Sequence, residues 1–302
     1  MAELLASGAA QGAVRLALLC GLLLLVGTHG ALARLLPPPH EGGPDWAAQA
    51  RARVRRIARA SEVLLALVVI ARIVQQGSAF ADTPAQWPTA VPLILQHTMW
   101  GRGWLLQVVS LAIVRVTSPE GTGRGRAVRL AALSALVVTP ALSGHAIGAP
   151  RLSLVAVAMD ALHVLVAGAW VGTLAVMVLA LAPLRHRVPA DSILAMLARF
   201  SPIALGSAAV VAATGLFAGW LHLGTIDALW GTPYGRTLML KLGFMAGVVA
   251  AGAFNWRVAT PRLADSGDRA PLVRAAVVEF VLALAVLVVT SLLIVTPLPA
   301  EG

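Results

Sequence analysis

The sequence predicts an all-α polytopic membrane protein with eight transmembrane helices in a 4+4 parallel repeat, both termini on the outer side. Three observations carry that prediction. The 302 residues are 59% hydrophobic and only 12% charged, and the mean hydropathy of +0.84 lies far from a soluble globular domain. The apolar residues fall in runs of about 20, the length a helix needs to cross a hydrocarbon core of about 30 Å. The basic residues cluster in alternate loops, as Lys and Arg do on the cytoplasmic side of a membrane. A net charge of +10 would point to nucleic acid only if it lay on one solvated face with aromatics interleaved. Here it is divided among short loops, so the implied partner is the lipid bilayer and no nucleic acid is expected. The single cysteine, Cys20, excludes a disulfide framework and a thiolate metal cluster.

The crossings are expected near 14–36, 57–80, 102–118, 127–145, 154–183, 202–223, 236–257 and 273–296. The first opens with one basic residue, Arg15, and runs on without a small-residue cleavage site, which predicts a retained anchor. Arg51, Arg53, Arg55, Arg56 and Arg59 precede the second crossing, and Arg124, Arg126 and Arg129 lead into the fourth. Arg185, Arg187, Arg262 and Arg269 lie in later loops on the same side, which is therefore the inner one. The opposite side holds Arg15, Arg102, Arg151 and Arg236. The outer loop around 81–101, with Pro84, Pro88, Pro92, Trp87 and Trp100, suits an amphipathic interfacial stretch. Two halves follow, 1–140 and 141–302. "TMWGRGWLLQ" at 98–107 and "TPYGRTLMLK" at 232–241 correspond across them, and His29 aligns with His163 at the same offset. Four crossings per half make the expected symmetry a parallel one, about an axis along the membrane normal.

The chemistry concentrates in "ALSGHAIGAPRLSLVAVAMDALHVLVAGAWVG" at 141–172. On a helix, residues three and four apart share a face, so Met159, Asp160 and His163 are neighbours near the outer end of the fifth crossing, with His145 just before it. Imidazole beside thioether suits copper, Cu(I) or Cu(II), with the thioether favouring Cu(I). Asp160 serves either as a ligand or as the acceptor that fixes the His163 tautomer, and spacing leaves both open. His97, Met99 and His222 also fall on the outer side and join the candidate metal ligands. Against these stands the plain alternative that an interfacial histidine bonds a headgroup and a methionine fills a gap. A carboxylate within a crossing, costing about 2.5–3.5 kcal/mol on insertion scales, more often marks a pathway or a paired charge. Arg72 is expected to pair with Asp160, Lys241 to snorkel outward, and Glu279 to lie about two turns into the eighth crossing. No phosphate-binding loop or phosphorylation motif of an ATP-driven pump is present, and no enzyme activity is expected.

Four pieces resemble the copper resistance protein D (CopD) family of bacterial inner-membrane proteins, most closely from about 140 to 297. They are "SGHA" before "DALHVLVAGAWVG"; "TGLFAGWLHLG" at 214–224; "TPYGRTLMLKLG" at 232–243 with "FNWR" and "TPRL"; and "EFVLALAVLVVTSLL" at 279–293. In the first half "MWGRGWLLQ" is the best match. The resemblance implies movement of copper from periplasm to cytoplasm, with His145, Asp160 and His163 on the motif positions, and a separate periplasmic CopC-like copper donor. Two other functions fit the residues: a b-type haem electron carrier using His29 and His163, and a copper chaperone or assembly factor without transport.

Overall fold

The structure is a computed structural model that describes residues 8–38, 44–81, 83–143 and 152–297. Every regular element among the described residues is helical. Eight long rods carry the architecture: α1, Gly8–Gly30 continuing through a π-helical segment, Ala31–Leu35; α2, Asp45–Phe80; α3, Met99–Val116; and α4, Gly123–Val138. The second half repeats the order. In α5, Ser153–Ala167 passes through a π segment, Gly168–Gly172, into Thr173–Leu181. Then come α6, Ala190–Leu223; α7, Pro233–Phe254, which runs through a third π segment, Asn255–Ala259, into Thr260–Ser266; and α8, Ala270–Val295.

Six of these rods are long and apolar enough to cross a membrane: Gly8–Leu35, Gly123–Ser143, Ser153–Leu184, Ala190–Leu223, Pro233–Ser266 and Ala270–Val295. The segments expected to cross at 57–80 and 102–118 lie in the helices α2 and α3, which do not join them. The first half of α2 is an arginine-rich rod, and α3 carries Arg102, Gln107 and Arg115 within 18 residues. At about 1.5 Å per residue the 36 residues of α2 reach about 54 Å, more than a hydrocarbon core requires. Arg15 also departs from expectation, because α1 begins at Gly8 and places it two turns inside the helix.

The bundle is organised around α1. Its most apolar window is 56% buried, against 6% for α7. One apolar cluster joins Leu18, Leu22 and Leu25 of α1 to Leu65, Val114 and Leu136; the other joins Leu32 and Leu35 to Val54, Trp170, Met196 and Val286. Glycines let α1 touch α5 backbone to backbone. A Cβ on Gly27 would stand 2.6 Å from the Thr173 nitrogen, and one on Gly172 would stand 2.7 Å from the Leu23 carbonyl carbon. Small residues at such a crossing replace the hydrophobic drive that lipid cannot supply.

At one end of the bundle the basic loops converge. Arg51 and Arg55 both bridge Glu120, at 2.7 and 3.0 Å. Arg187 donates to Gln49 at 3.1 Å, and Arg269 to the Arg185 carbonyl. Glu62 lies 3.8 Å from Arg115 and 3.9 Å from the buried Arg129. The short helix Trp87–His97 lies at the opposite end, packing the Trp87 ring against Gly77.

Candidate functional site

Two helix starts shape the end away from the arginine cluster. Thr98 caps α3: its hydroxyl accepts from Gly101 N at 2.9 Å and donates to the Ile94 carbonyl at 2.6 Å. Thr232 caps α7 in the same way, accepting from Gly235 N at 3.0 Å and donating to the Ala228 carbonyl at 2.7 Å. A Cβ on Gly101 would stand 2.5 Å from Leu95 Cα, and one on Gly235 2.5 Å from Leu229 Cα. Only glycine permits the preceding turn to come so close. The motif pair matched in sequence is therefore also a matched local structure.

These starts aim two polar side chains into the bundle, Gln107 from α3 and Lys241 from α7. Gln107, fully buried, accepts from Arg72 of α2. The Arg72 guanidinium also donates to Ser143 Oγ at 2.7 Å and lies 5.4 Å from the centre of the Trp100 ring. Arg15 reaches the same serine, donating to its carbonyl at 2.7 Å and facing its hydroxyl at 3.4 Å. A buried cation, Arg72, and a half-buried one, Arg15, thus share one residue. Their negative counterpart is Asp160, whose charged neighbours are Lys241 first and Arg15 second. The pairing expected between Asp160 and Arg72 is not formed, because Arg72 is consumed by Gln107, Ser143 and Trp100. Lys241 is half-buried, and its charged neighbour is Asp160.

His163 is held by α6. Its Nδ1 lies 2.8 Å from the Thr214 hydroxyl, and that hydroxyl lies 2.7 Å from the Val210 carbonyl four residues earlier. A threonine has one hydroxyl hydrogen. Directed to Val210, it leaves the oxygen to accept from Nδ1–H, so the Nε2 lone pair of His163 faces outward from this bond, free to bind a metal. Thr214 thereby takes the orienting role that spacing had left open to Asp160. Thr214 and Ser143 each open one of the quoted motifs, "TGLFAGWLHLG" and "SGHA", but nothing in those motifs names their partners. A threonine in a membrane helix usually bonds its own i−4 carbonyl, and only the packing of α5 on α6 gives this one a second task.

Among the other expected ligands, Met159 is half-buried one turn before His163 on α5. His222 is half-buried near the end of α6, while His97 and Met99 are exposed where the short helix meets α3. His145 lies outside the described residues. Among the described residues no three His, Cys, Asp or Glu side chains come together; Met159, Asp160 and His163 share one stretch of α5. His29, the expected haem partner of His163, is in the last turn of α1 with its Nδ1 buried and unpartnered. Its electrostatic neighbours are Arg129, Arg126 and Arg34, whereas His163 lies near Lys241. The two histidines therefore belong to opposite ends of the bundle.

The family model described as copper resistance protein D matches residues 194–293, and that described as copper resistance protein D-like, N-terminal domain, matches residues 2–150. Asp160 and His163 fall between the two matched stretches. The chain is 28% identical over 261 residues to the copper transport protein CutJ of Bacillus subtilis (strain 168), covering 82% of this chain and 47% of that protein. The chain thus spans about half the length of the curated relative it matches. No solved structure matches it.

Proposed function

Because the chain belongs to the copper resistance protein D family, we propose that it carries copper across the bacterial inner membrane, from periplasm to cytoplasm, with eight crossings and both termini periplasmic. The observation that carries this reading is the orientation of His163. Its Nδ1 is occupied by Thr214, so Nε2 is the nitrogen offered to an incoming ion, with Asp160 and Met159 on the same helical face. Copper is the substrate here, taken from a CopC-like donor at the end opposite the arginine loops. The convergence of those loops at one end favours that end as cytoplasmic. The matched caps of α3 and α7 favour two related halves. Inward movement of a cation is downhill in an inside-negative potential by about 2.3 kcal/mol per charge per 100 mV, so a carrier of this kind needs no nucleotide site.

The test is copper accumulation by cells expressing the chain. His163→Ala and Asp160→Ala are each expected to abolish copper-dependent accumulation while the protein still reaches the membrane. Wild-type accumulation by both variants would remove the site from the pathway. Uptake of copper by proteoliposomes then separates a carrier from a chaperone, which would bind the ion and move none.

A further inference from the structure

A second polar cluster is buried where α5, α7 and α8 meet. Glu279 of α8 is 4% exposed. Its Oε2 accepts a hydrogen bond from Asn255 Nδ2 at 2.9 Å, and the Trp170 indole lies beside the carboxylate. The carboxylate packs on Gly252, where a Cβ would come within 3.3 Å of Oε1. Trp170 and Asn255 both belong to π-helical segments, Gly168–Gly172 and Asn255–Ala259. The widened turn changes which side chains face the bundle, and such segments recur at functional sites.

No cation neutralises this carboxylate among the described residues. On α1, Arg15 is turned to Ser143 and Asp160, and His29 lies among Arg129, Arg126 and Arg34. On α7, Lys241 faces Asp160, Arg236 bonds the Thr232 carbonyl, and Arg257 lies over Trp256. Arg262 and Asp265 beyond it are exposed, as is Arg274 on α8 itself, and Arg269 bonds the Arg185 carbonyl. The segment Thr173–Leu181 carries no charge. An ionised Glu279 would therefore be a buried, unpaired anion, which proteins avoid. At the same time Asn255 Oδ1 is buried without a hydrogen-bond partner. One proton resolves both: a neutral Glu279 has an O–H to donate to Asn255 Oδ1, while Asn255 Nδ2 goes on donating to Oε2.

We propose that Glu279 and Asn255 form an intramembrane proton-binding site, an acid–amide pair that gives up its proton when a copper cation passes and is reprotonated once the ion has left. The O–H bond of Glu279 breaks, its electron pair stays on the carboxylate and the proton passes to water, which returns one when the ion has left; the passing cation supplies the balancing charge, and no redox step is involved. Proton movement is thereby coupled to copper movement. The proton site is a property of the resting protein, but the coupling rests on the copper-transport reading.

Two measurements test the two parts separately. Infrared difference spectra of the purified full-length protein at neutral pH are expected to show the carbonyl band of a protonated carboxylic acid. That band should be lost in Glu279→Gln, shifted in frequency in Glu279→Asp, and shifted in Asn255→Ala, which retains the acid but removes its acceptor. A band unchanged in all three variants overturns the proton site, whatever the protein transports. In proteoliposomes with an internal pH dye, copper ions alone are then added outside. Wild type is expected to move protons with copper, whereas Glu279→Gln should lose the proton signal. Equal proton signals in the two overturn the coupling. Absence of any copper uptake by wild type removes the transport reading and with it the coupling, while the infrared band still decides the site.

Discussion

Thr98 and Thr232, 134 positions apart (232 minus 98), hold nearly the same backbone angles, φ −115° and ψ 149° against φ −112° and ψ 153°. Each is followed at the third position by a glycine against the preceding turn. At the same offset, however, Gln107 stands where the second half has Lys241. In the first half the cation is on α2, as Arg72, and is satisfied by neutral groups and an aromatic face. In the second half the cation is on α7 and meets an anion, Asp160, beside His163. The lesson is that the same backbone frame holds a cation among neutral groups in one half and sets a cation near a carboxylate and a histidine in the other.

The largest expected break in that comparison comes from removing the C-terminal cation. Lys241→Met leaves Asp160 with Arg15 as its remaining charged neighbour and should destabilise the protein by about 3 kcal/mol, the upper end for a polar group that loses its partner, because the group left behind is a charge. Gln107→Leu, its equivalent in the other half, should cost about 1–3 kcal/mol, the range for a donor left without its acceptor. Thermal unfolding of the purified variants measures both, and equal losses would erase the distinction between the halves. Next, Gly101→Ala and Gly235→Ala should each cost about 1–3 kcal/mol by overpacking, and similarly, since both Cβ atoms would meet a backbone carbon at 2.5 Å. A large effect at only one would show that the two turns are not equivalent.

Thr214→Val should lower copper affinity by about 10–100-fold, the usual effect of losing the group that orients a ligating histidine, with little change in stability. Isothermal titration with copper reads this, and an unchanged affinity would show that Thr214 does not set the His163 tautomer. The smallest effects are expected at the caps: Thr98→Ala and Thr232→Ala should each cost about 0.5–2 kcal/mol. Their losses should agree, which the melting temperatures of the two variants check.

The helices were legible because the signal is carried by consecutive residues. The fifth crossing, expected at 154–183, is observed as Ser153–Leu184, and the eighth, expected at 273–296, as Ala270–Val295. The sixth and seventh helices run beyond their expected bounds of 202–223 and 236–257. The polar turns beyond 202 and 257 break the hydropathy without breaking the helix, so α6 begins at Ala190 and α7 continues to Ser266. The candidate site was legible only in part. Asp160 and His163 stand out because polar groups are costly among apolar neighbours, whereas Thr214, Ser143, Asn255 and Trp170 lie in the quoted motifs without any signal of which groups they meet. The partner of Arg72 is not legible, since a charge on one helix and an opposite charge on another match in sign whether or not the helices bring them together.

The sequence by itself determined the helical class, the apolar lengths, the one-sided arginines and the pair of Thr-capped starts, because each is a property of residues adjacent in the chain. Only the tertiary structure decided which polar groups meet. His163 and Thr214 are 51 residues apart, Glu279 and Asn255 are 24, and Arg15 and Ser143 are 128. Such pairs depend on how far each helix is rotated about its axis, and the π segments reset that rotation within α5 and α7.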